Sequence, residues 1–186
     1  MKIFSSLFFS LLFVNAFSQI NRKDFTQFVN PFIGTASKDT NSLSGSVFPG
    51  ACMPFGMVQL SPDNYDAPED PASAYNYKEK TIVGFSHTHL NGTGVGDLYD
   101  VLVQPIAGTV LWQPGDAAKP RSGYRSVFSH TTEKASPGYY AVQLDDYNIK
   151  VELTATAHIG FHKYNFPKTD SAYVLFDLDH TLDKKR

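Results

Sequence analysis

The sequence predicts an all-β fold, built as an antiparallel β-sandwich. Helical periodicity is nearly absent beyond the apolar N-terminus, and short strand-like runs recur instead, separated by clusters of Gly, Pro, Asn and Asp. Short strands punctuated by turns in this way are typical of sandwiches rather than of α/β folds. The predicted strands are 57–60, 81–87, 99–106, 108–111, 124–129, 138–144, 149–156, 159–166 and 172–178.

Two of these runs alternate apolar and polar residues, which supports their assignment as strands. Tyr140, Val142 and Leu144 share one face of the first, and Val151 and Leu153 share one face of the second.

The N-terminus has the features of a secretory signal peptide. Lys2 supplies the positive charge, an apolar run follows, and Ala16 and Ser18 are small residues at the −3 and −1 positions of a cleavage site. The run is shorter than the ~20 apolar residues that a membrane span needs. We therefore expect residues 1–18 to be removed, leaving residues 19–186 as an exported domain in the periplasm, at the cell surface or in the medium.

Composition excludes some classes of partner. The formal net charge is −2, and no basic run precedes the terminal Lys184 and its neighbours, so nucleic acid is not an expected partner. Cys52 is the single cysteine, which rules out an intramolecular disulfide and favours a buried thiol. The many Phe and Tyr residues suit a β-sheet protein and a sugar-binding one equally well.

Three stretches of the chain together resemble the N-terminal domain of family 92 glycoside hydrolases, which are exo-acting α-mannosidases. They occur in the family's order and cover most of the chain. The first comprises VNPFIGT at 29–35, FPGA at 48–51 and PFGMVQLSPD at 54–63; the second is GFSHTHLNGTGVGD at 84–97; the third comprises FSH at 128–130, SPGYY at 136–140 and ELTAT at 152–156.

This resemblance implies a sandwich of the galactose-mutarotase-like supersandwich type, packed against a larger helical-barrel domain. It also implies calcium-dependent, inverting hydrolysis of terminal α-mannosides, which needs two carboxyl groups with room for a water between them. In the family, those carboxylates and the calcium ligands come largely from the helical domain. We therefore expect residues 19–186 to hold a sandwich truncated at its C-terminal end, with no catalytic residue, no metal ligand and no catalytic domain. The implied partners are α-mannoside glycans and a helical domain, in cis or in trans.

The second stretch is the most informative one. If it is extended, His87 and His89 share one face and Thr88 lies on the other. The two rings could bind a metal, contact sugar hydroxyls or be hydrogen-bonded in the interior, and a metal is disfavoured because no third ligand is near. The glycines that follow permit close approach of the backbone to a ligand. The candidate substrate-binding residues are Tyr77, His87, Thr88, His89, Asn91, Gly94 and Asp97.

Other polar and aromatic residues have weaker signals. Asp63, Asp97 and Asp100 sit beside Gly or Pro, where aspartate usually caps its own backbone. Aromatic rings can stack on the apolar faces of sugars, which makes three of them candidate platforms, although packing in the core or at the surface is favoured for each. These three are Tyr75, Tyr77 and Trp112.

The segment VLFDLDHTLD at 174–183 resembles the DxDxT signature of haloacid-dehalogenase-type phosphatases. That signature would make Asp177 the nucleophile and Asp179 the acid, at the end of a buried parallel strand. His180 occupies the position usually held by Gly, and a doubly wound sheet would have to follow. We therefore expect an apolar strand that ends in an acidic turn.

Three functions remain open. The leading one is a module of an α-mannosidase that is inactive alone, either part of an incomplete chain or the partner of a separate catalytic half. The second is a free-standing, lectin-like mannose-binding protein, and the distant third is the phosphatase. A sandwich that normally packs against another domain should expose an apolar patch and an unpaired edge strand.

Overall fold

The computed structural model describes residues 23–36, 45–64, 73–92 and 98–181, and it confirms the all-β prediction. Within these ranges the only helix is a 3₁₀ turn at Thr26–Phe28, and every strand pairing is antiparallel. The strands are β1 (Ala51–Cys52), β2 (Gln59–Asp63), β3 (Thr81–Ile82), β4 (Gly84–Ser86), β5 (Leu102–Ala107), β6 (Ser126–Val127), β7 (Lys134–Ser136), β8 (Tyr139–Leu144), β9 (Ile149–Ala155), β10 (Gly160–Asn165) and β11 (Ala172–Asp177).

The strands form three sheets. The largest has the order β1-β2-β4-β5-β11, the second has the order β10-β9-β8-β7, and β3 pairs with β6 in a small third sheet. The second sheet is a meander of neighbouring strands. The largest sheet is not, because β5 pairs with β11 from the far end of the described chain.

The two larger sheets pack face to face around one hydrophobic core. Leu60 of β2 and Phe85 of β4 meet the alternating residues of β8 and β9, all of them buried. The residues that alternation predicted to share a face are among them: Tyr140, Val142, Leu144, Val151 and Leu153. The sandwich therefore has two inner faces that form this core and two outer faces directed away from it.

A smaller core lies on the outer face of the five-stranded sheet. Val103 of β5 pairs with Phe85 of the main core, so these two residues share the inner face. Leu102 and Ile106 lie at alternate positions of β5 and therefore face the outer side. Val83, which follows β3 in the sequence, and Tyr124, which precedes β6, complete this second cluster.

One predicted strand is wrong and two were missed. Residues 108–111 turn away after β5, because Gly108 has φ +97° and ends the strand. β1 and β7 have two and three residues, too few for alternation to reveal them. The predicted signal peptide lies outside the described residues, and within the described ranges no helix is long and apolar enough to cross a bilayer.

The last described strand contradicts the phosphatase alternative. Among the described strands β11 lies at the edge of its sheet, antiparallel to β5, whereas the phosphatase nucleophile needs a buried parallel strand. Asp177 accepts a hydrogen bond from the Tyr124 hydroxyl at 2.5 Å and another from the backbone of Asp179, as expected of an acidic turn. Phe176 is 63% exposed, and Tyr173 and Val174 are also exposed, so this edge presents an apolar surface.

Candidate functional site

The loop after β4 folds across the outer face of the five-stranded sheet and forms the candidate site. Its backbone is held on both sides. The amide of Gln59 donates to the carbonyl of His87 at 2.9 Å, and the amide of Tyr99 donates to the carbonyl of Thr88 at 3.0 Å. The segment from His87 to Thr88 is therefore fixed between β2 and the chain that leads into β5, although it is not itself a regular strand.

The buried carboxylate of Asp63 anchors this loop. Its Oδ1 accepts hydrogen bonds from His89 Nε2 at 2.8 Å and Ser86 Oγ at 3.0 Å, and its Oδ2 accepts one from His180 Nε2 at 2.8 Å. Burial by itself raises the pKa of Asp63, but hydrogen bonds and charge from His89 and His180 outweigh it and lower the pKa. The expectation that Asp63 caps its own backbone is wrong, because its oxygens link β2 to the segment 86–89 and to His180.

His89 is committed to the interior of the domain. The ring is 1% exposed, its Nδ1 lies 2.6 Å from the carbonyl oxygen of Gln59, and its Nε2 contacts Asp63. Both ring nitrogens lie against oxygen atoms of the domain, so both are engaged in internal hydrogen bonds. The rings of Phe48 and Tyr99 pack beside it, with centroids at 5.1 Å and 5.6 Å. His89 thus positions the loop, and neither nitrogen is left for a ligand.

His87 lies on the opposite side of the sheet and faces the other layer of the sandwich. Its Nδ1 contacts the carbonyl of Val101 at 2.8 Å, and its Nε2 contacts His162 Nε2 of β10 at 3.1 Å. The Tyr164 hydroxyl lies 2.6 Å from the other nitrogen of His162. Burial, with a smaller effect of His87, lowers the pKa of His162 to about 4. A neutral His162 ring matches these contacts, since one of its nitrogens can accept from the Tyr164 hydroxyl while the other donates to His87 Nε2.

The prediction that His87 and His89 share a face is wrong. Alternation holds only while a strand continues, and β4 ends at Ser86. Beyond that point the chain turns, so the ring of His89 comes to lie beside Ser86 and Asp63 on the outer face.

A second buried carboxylate, Glu133, holds the aromatic side of the site. Its oxygens accept hydrogen bonds from the hydroxyls of Tyr75 at 2.8 Å and Tyr140 at 2.6 Å, and one lies 2.6 Å from His130 Nδ1. Burial and the charge of Glu133 raise the pKa of both tyrosines. Tyr77 stacks on the His130 ring with a centroid distance of 3.9 Å and an interplanar angle of 17°.

The three candidate aromatic platforms differ in accessibility and in position. Tyr75 is buried, so it cannot stack on a ligand, whereas Tyr77 is 40% exposed and held in place by His130. Trp112 is exposed too, but it lies in the loop between β5 and β6.

The segment 73–78 connects the two carboxylates. The amide of Ala74 donates to the Tyr99 hydroxyl at 2.8 Å, and the side chain of Asn64 exchanges hydrogen bonds with the backbone of Asn76. Strained backbone also concentrates here, as is common at functional sites. Five non-glycine residues with positive φ surround the loop: Ser46, Ala74, Leu98, Tyr99 and Val101.

The remaining candidates differ in accessibility. The Thr88 hydroxyl is half-buried; it donates to Asp100 Oδ2 at 3.2 Å and accepts from the Asp100 amide at 3.0 Å, which leaves one acceptor position. Asn91 is exposed. Gly94 and Asp97 lie outside the described residues. The accessible groups are thus a tyrosine ring, a hydroxyl and an amide, which suit a neutral, hydroxyl-rich ligand.

Sequence reasoning missed several residues of this site. His180 was noted only as a departure from the phosphatase signature, yet it reaches Asp63 across 117 positions of the chain. Glu133 gave no signal, because its partner Tyr75 is 58 positions away and its nearby partners, His130 and Tyr140, form no motif with it. Within the described ranges, no group of three or more His, Cys, Asp or Glu could hold a metal ion.

Comparison with known proteins gives the family of this domain. The glycosyl hydrolase family 92 N-terminal domain matches residues 28–186. The family GH92 alpha-mannosidase BT3965 from Bacteroides thetaiotaomicron is 45% identical over 84% of this chain and 20% of its own, with a TM-score of 0.79. The family GH92 inverting mannosidase BT2199 from Bacteroides thetaiotaomicron VPI-5482 is 26% identical over 86% of this chain and 20% of its own, with a TM-score of 0.64.

A curated relative shows the same partial coverage. An uncharacterized secreted glycosidase of Arthroderma benhamiae is 27% identical over 88% of this chain and 21% of its own length. The chain therefore spans about a fifth of the length of the relatives that it matches.

Proposed function

The chain belongs to glycosyl hydrolase family 92, whose N-terminal domain it carries, and from this premise we propose that it is the carbohydrate-binding and structural module of an inverting, calcium-dependent α-mannosidase. Its substrates are mannose-containing glycans, and its sandwich is of the supersandwich type. The observation that carries the proposal is the loop 87–91, which the buried Asp63 anchors through His89. The segment 73–78, which bears the exposed ring of Tyr77, is joined to this loop by the hydrogen bonds of Tyr99 to Ala74 and Thr88.

We assign sugar contact to the accessible side chains of this arrangement. Tyr77 offers an exposed ring that His130 holds in one orientation, so little side-chain entropy is lost when a sugar stacks on it. Thr88 and Asn91 offer hydrogen-bonding groups on the loop. His89, and His87 through its pairing with His162, set the position of the loop.

Hydrolysis is not a property of this part of the molecule on its own. An inverting glycosidase needs one carboxyl group to protonate the leaving oxygen and a second to activate water, both facing an open site. The two carboxylates of the candidate site, Asp63 and Glu133, are buried and face imidazole and phenol donors instead. Catalysis then requires carboxylates from a helical catalytic domain.

Calcium does not fit the surroundings of Asp63 or Glu133. The ion prefers six to eight oxygen ligands, whereas Asp63 and Glu133 lie against histidines and tyrosines. We assign its ligands to the catalytic domain. The exposed apolar edge formed by Tyr173, Val174 and Phe176 is a surface that such a domain would cover. Export of the protein is consistent with its N-terminal sequence.

An NMR titration with methyl α-mannoside, with and without calcium, tests the proposal. We expect saturable shifts in the amides of Tyr77, Thr88 and Asn91, and a Kd raised about tenfold by Tyr77→Ala through loss of one ring contact. Trp112→Ala, which removes an exposed ring elsewhere, should leave the Kd unchanged.

Two outcomes would overturn it. The absence of saturable shifts in 77–91 would reject sugar contact by this loop. Release of product from an aryl α-mannoside, lost on replacing a residue of this chain, would reject inactivity alone. Micromolar affinity without any partner would favour the lectin-like function instead.

A further inference from the structure

A groove of about 320 Å³ crosses the outer face of the four-stranded sheet. Five side chains that line it define what we call the outer groove: Tyr139, Glu152, Thr154, Phe161 and Lys163. They come from β8, β9 and β10. This volume lies in the range of small-ligand sites, about 300–1,000 Å³. We propose that the outer groove is a second glycan-binding site, which takes one or two neutral pyranose units of a polysaccharide.

Strand register gives the groove its shape. Tyr139, Thr154 and Phe161 stand opposite one another in a single row across the three strands. Strands lie about 4.8 Å apart, so the two aromatic residues are separated by about 10 Å at the backbone. The small Thr154 lies between them, which leaves a depression with an aromatic wall on each side. A flat pyranose ring fits between such walls with its C–H faces toward the rings.

The next row supplies the polar groups. Glu152 lies in the floor, where it accepts a hydrogen bond from the Tyr139 hydroxyl at 2.7 Å and pairs with Lys163 Nζ at 3.0 Å. The Tyr139 hydrogen bond, followed by that of Lys163, lowers the pKa of Glu152 to about 2. A carboxylate has about four acceptor positions, so it can still accept from a sugar hydroxyl. Lys163 can donate to a ring or hydroxyl oxygen.

The residues of the groove favour a neutral polyol over other ligands. Glu152 in the floor is paired with Lys163 and also with Lys150 Nζ at 3.4 Å, so its charge is compensated, and a carboxylate at this position opposes an anionic ligand. Phe161 is 51% exposed even though it sits in a regular strand of a well-packed sheet. The combination of exposed ring, fixed carboxylate and ammonium in one small depression matches the alternating apolar and hydroxyl surfaces of a sugar.

This site is separate from the loop 87–91. Phe161 and Lys163 face outward from β10, whereas His162 between them faces inward and contacts His87. The loop lies against the five-stranded sheet, so the two sites open on different layers of the sandwich. The two sites can bind the same glycan at distant points, and a substitution that abolishes binding at one need not affect the other.

Binding of the ¹⁵N-labelled chain to soluble α-mannan and to a short α-mannoside is the test. We expect saturable shifts in the amides of 152–154 and 161–163, and a Kd for mannan raised about tenfold by Phe161→Ala. Glu152→Gln should weaken binding to a smaller extent, since Gln retains one acceptor. Phe176→Ala, which removes a similarly exposed ring on β11, is the matched control and should leave binding unchanged.

The outcomes separate this site from the proposed function. Shifts confined to 77–91 would overturn the outer groove while leaving the loop site intact, and shifts confined to 152–163 would do the reverse. Equal effects of Phe161→Ala and Phe176→Ala would show non-specific adhesion and also overturn it, as would binding to a polyanion but not to mannan. Dispersed spectra of each variant exclude unfolding as the cause.

Discussion

Replacing Asp63 with Asn tests whether one buried carboxylate fixes the candidate site. The amide keeps the shape of the side chain but loses its charge, and one of its oxygens becomes an NH₂ group. At least one of the donors His89, His180 and Ser86 then loses its acceptor. Hydrogen bonds to a charged group contribute about 1.5–3 kcal/mol each, and breaking a buried ion pair costs about 3–5 kcal/mol. The three bonds share one acceptor and are not additive, so we expect a loss of about 3 kcal/mol in the free energy of unfolding.

The pH dependence follows from the lowered pKa of Asp63. A carboxyl group whose pKa is lower in the folded state than in the unfolded chain stabilises the fold above the unfolded pKa, which is about 3.9. That contribution is lost as the pH falls through the folded pKa. The difference in the free energy of unfolding between wild type and D63N should therefore be largest at neutral pH and shrink below about pH 4.

Urea unfolding followed by circular dichroism, from neutral to acidic pH, measures both quantities. Asp116→Asn is the matched control, since that exposed carboxylate lies 3.5 Å from Lys119 Nζ and, as Asn, can still accept the hydrogen bond from the Ala118 amide, so stability should be nearly unchanged. A loss below about 1 kcal/mol for D63N, or a difference that persists unchanged in acid, would refute the reasoning.

Four further predictions concern other parts of the fold. Glu133→Gln should cost about 2 kcal/mol in thermal unfolding, since it weakens three buried hydrogen bonds at once, and a cost near zero would contradict the network. Gly50→Ala should destabilise by about 3 kcal/mol or abolish soluble expression, because a Cβ would lie 2.3 Å from the carbonyl oxygen of Leu60; unchanged unfolding would contradict this packing. The pKa of His162 falls from 6.5 to about 4, so the fold should lose stability as the pH drops between these values, and His162→Gln should flatten that slope. Phe176→Ser should leave the melting temperature nearly unchanged but reduce light scattering at high concentration, and undiminished aggregation would locate the adhesive surface elsewhere.

The sequence determined most of the strands and, where alternation is clear, the side of the strand that faces the core. In β8 and β9 the period of two is unbroken, and Tyr140, Val142 and Val151 are buried as the alternation requires. This works because side chains in a strand alternate whatever the strand pairs with. The family, too, was readable from three stretches in the right order. The two short strands β1 and β7 were out of reach, because two or three residues contain no period.

Only the tertiary structure decided which polar groups meet. The order β1-β2-β4-β5-β11 places the end of β11 beside β5, and from there His180 reaches Asp63. Nothing local in the sequence encodes that order, because strand neighbours are chosen by packing over the whole chain. The same reason separates His87 from His89: once β4 ends, a side chain's direction depends on what the turn packs against. The sequence could thus name the loop that matters, but the fold alone assigned one histidine to each side of the sheet.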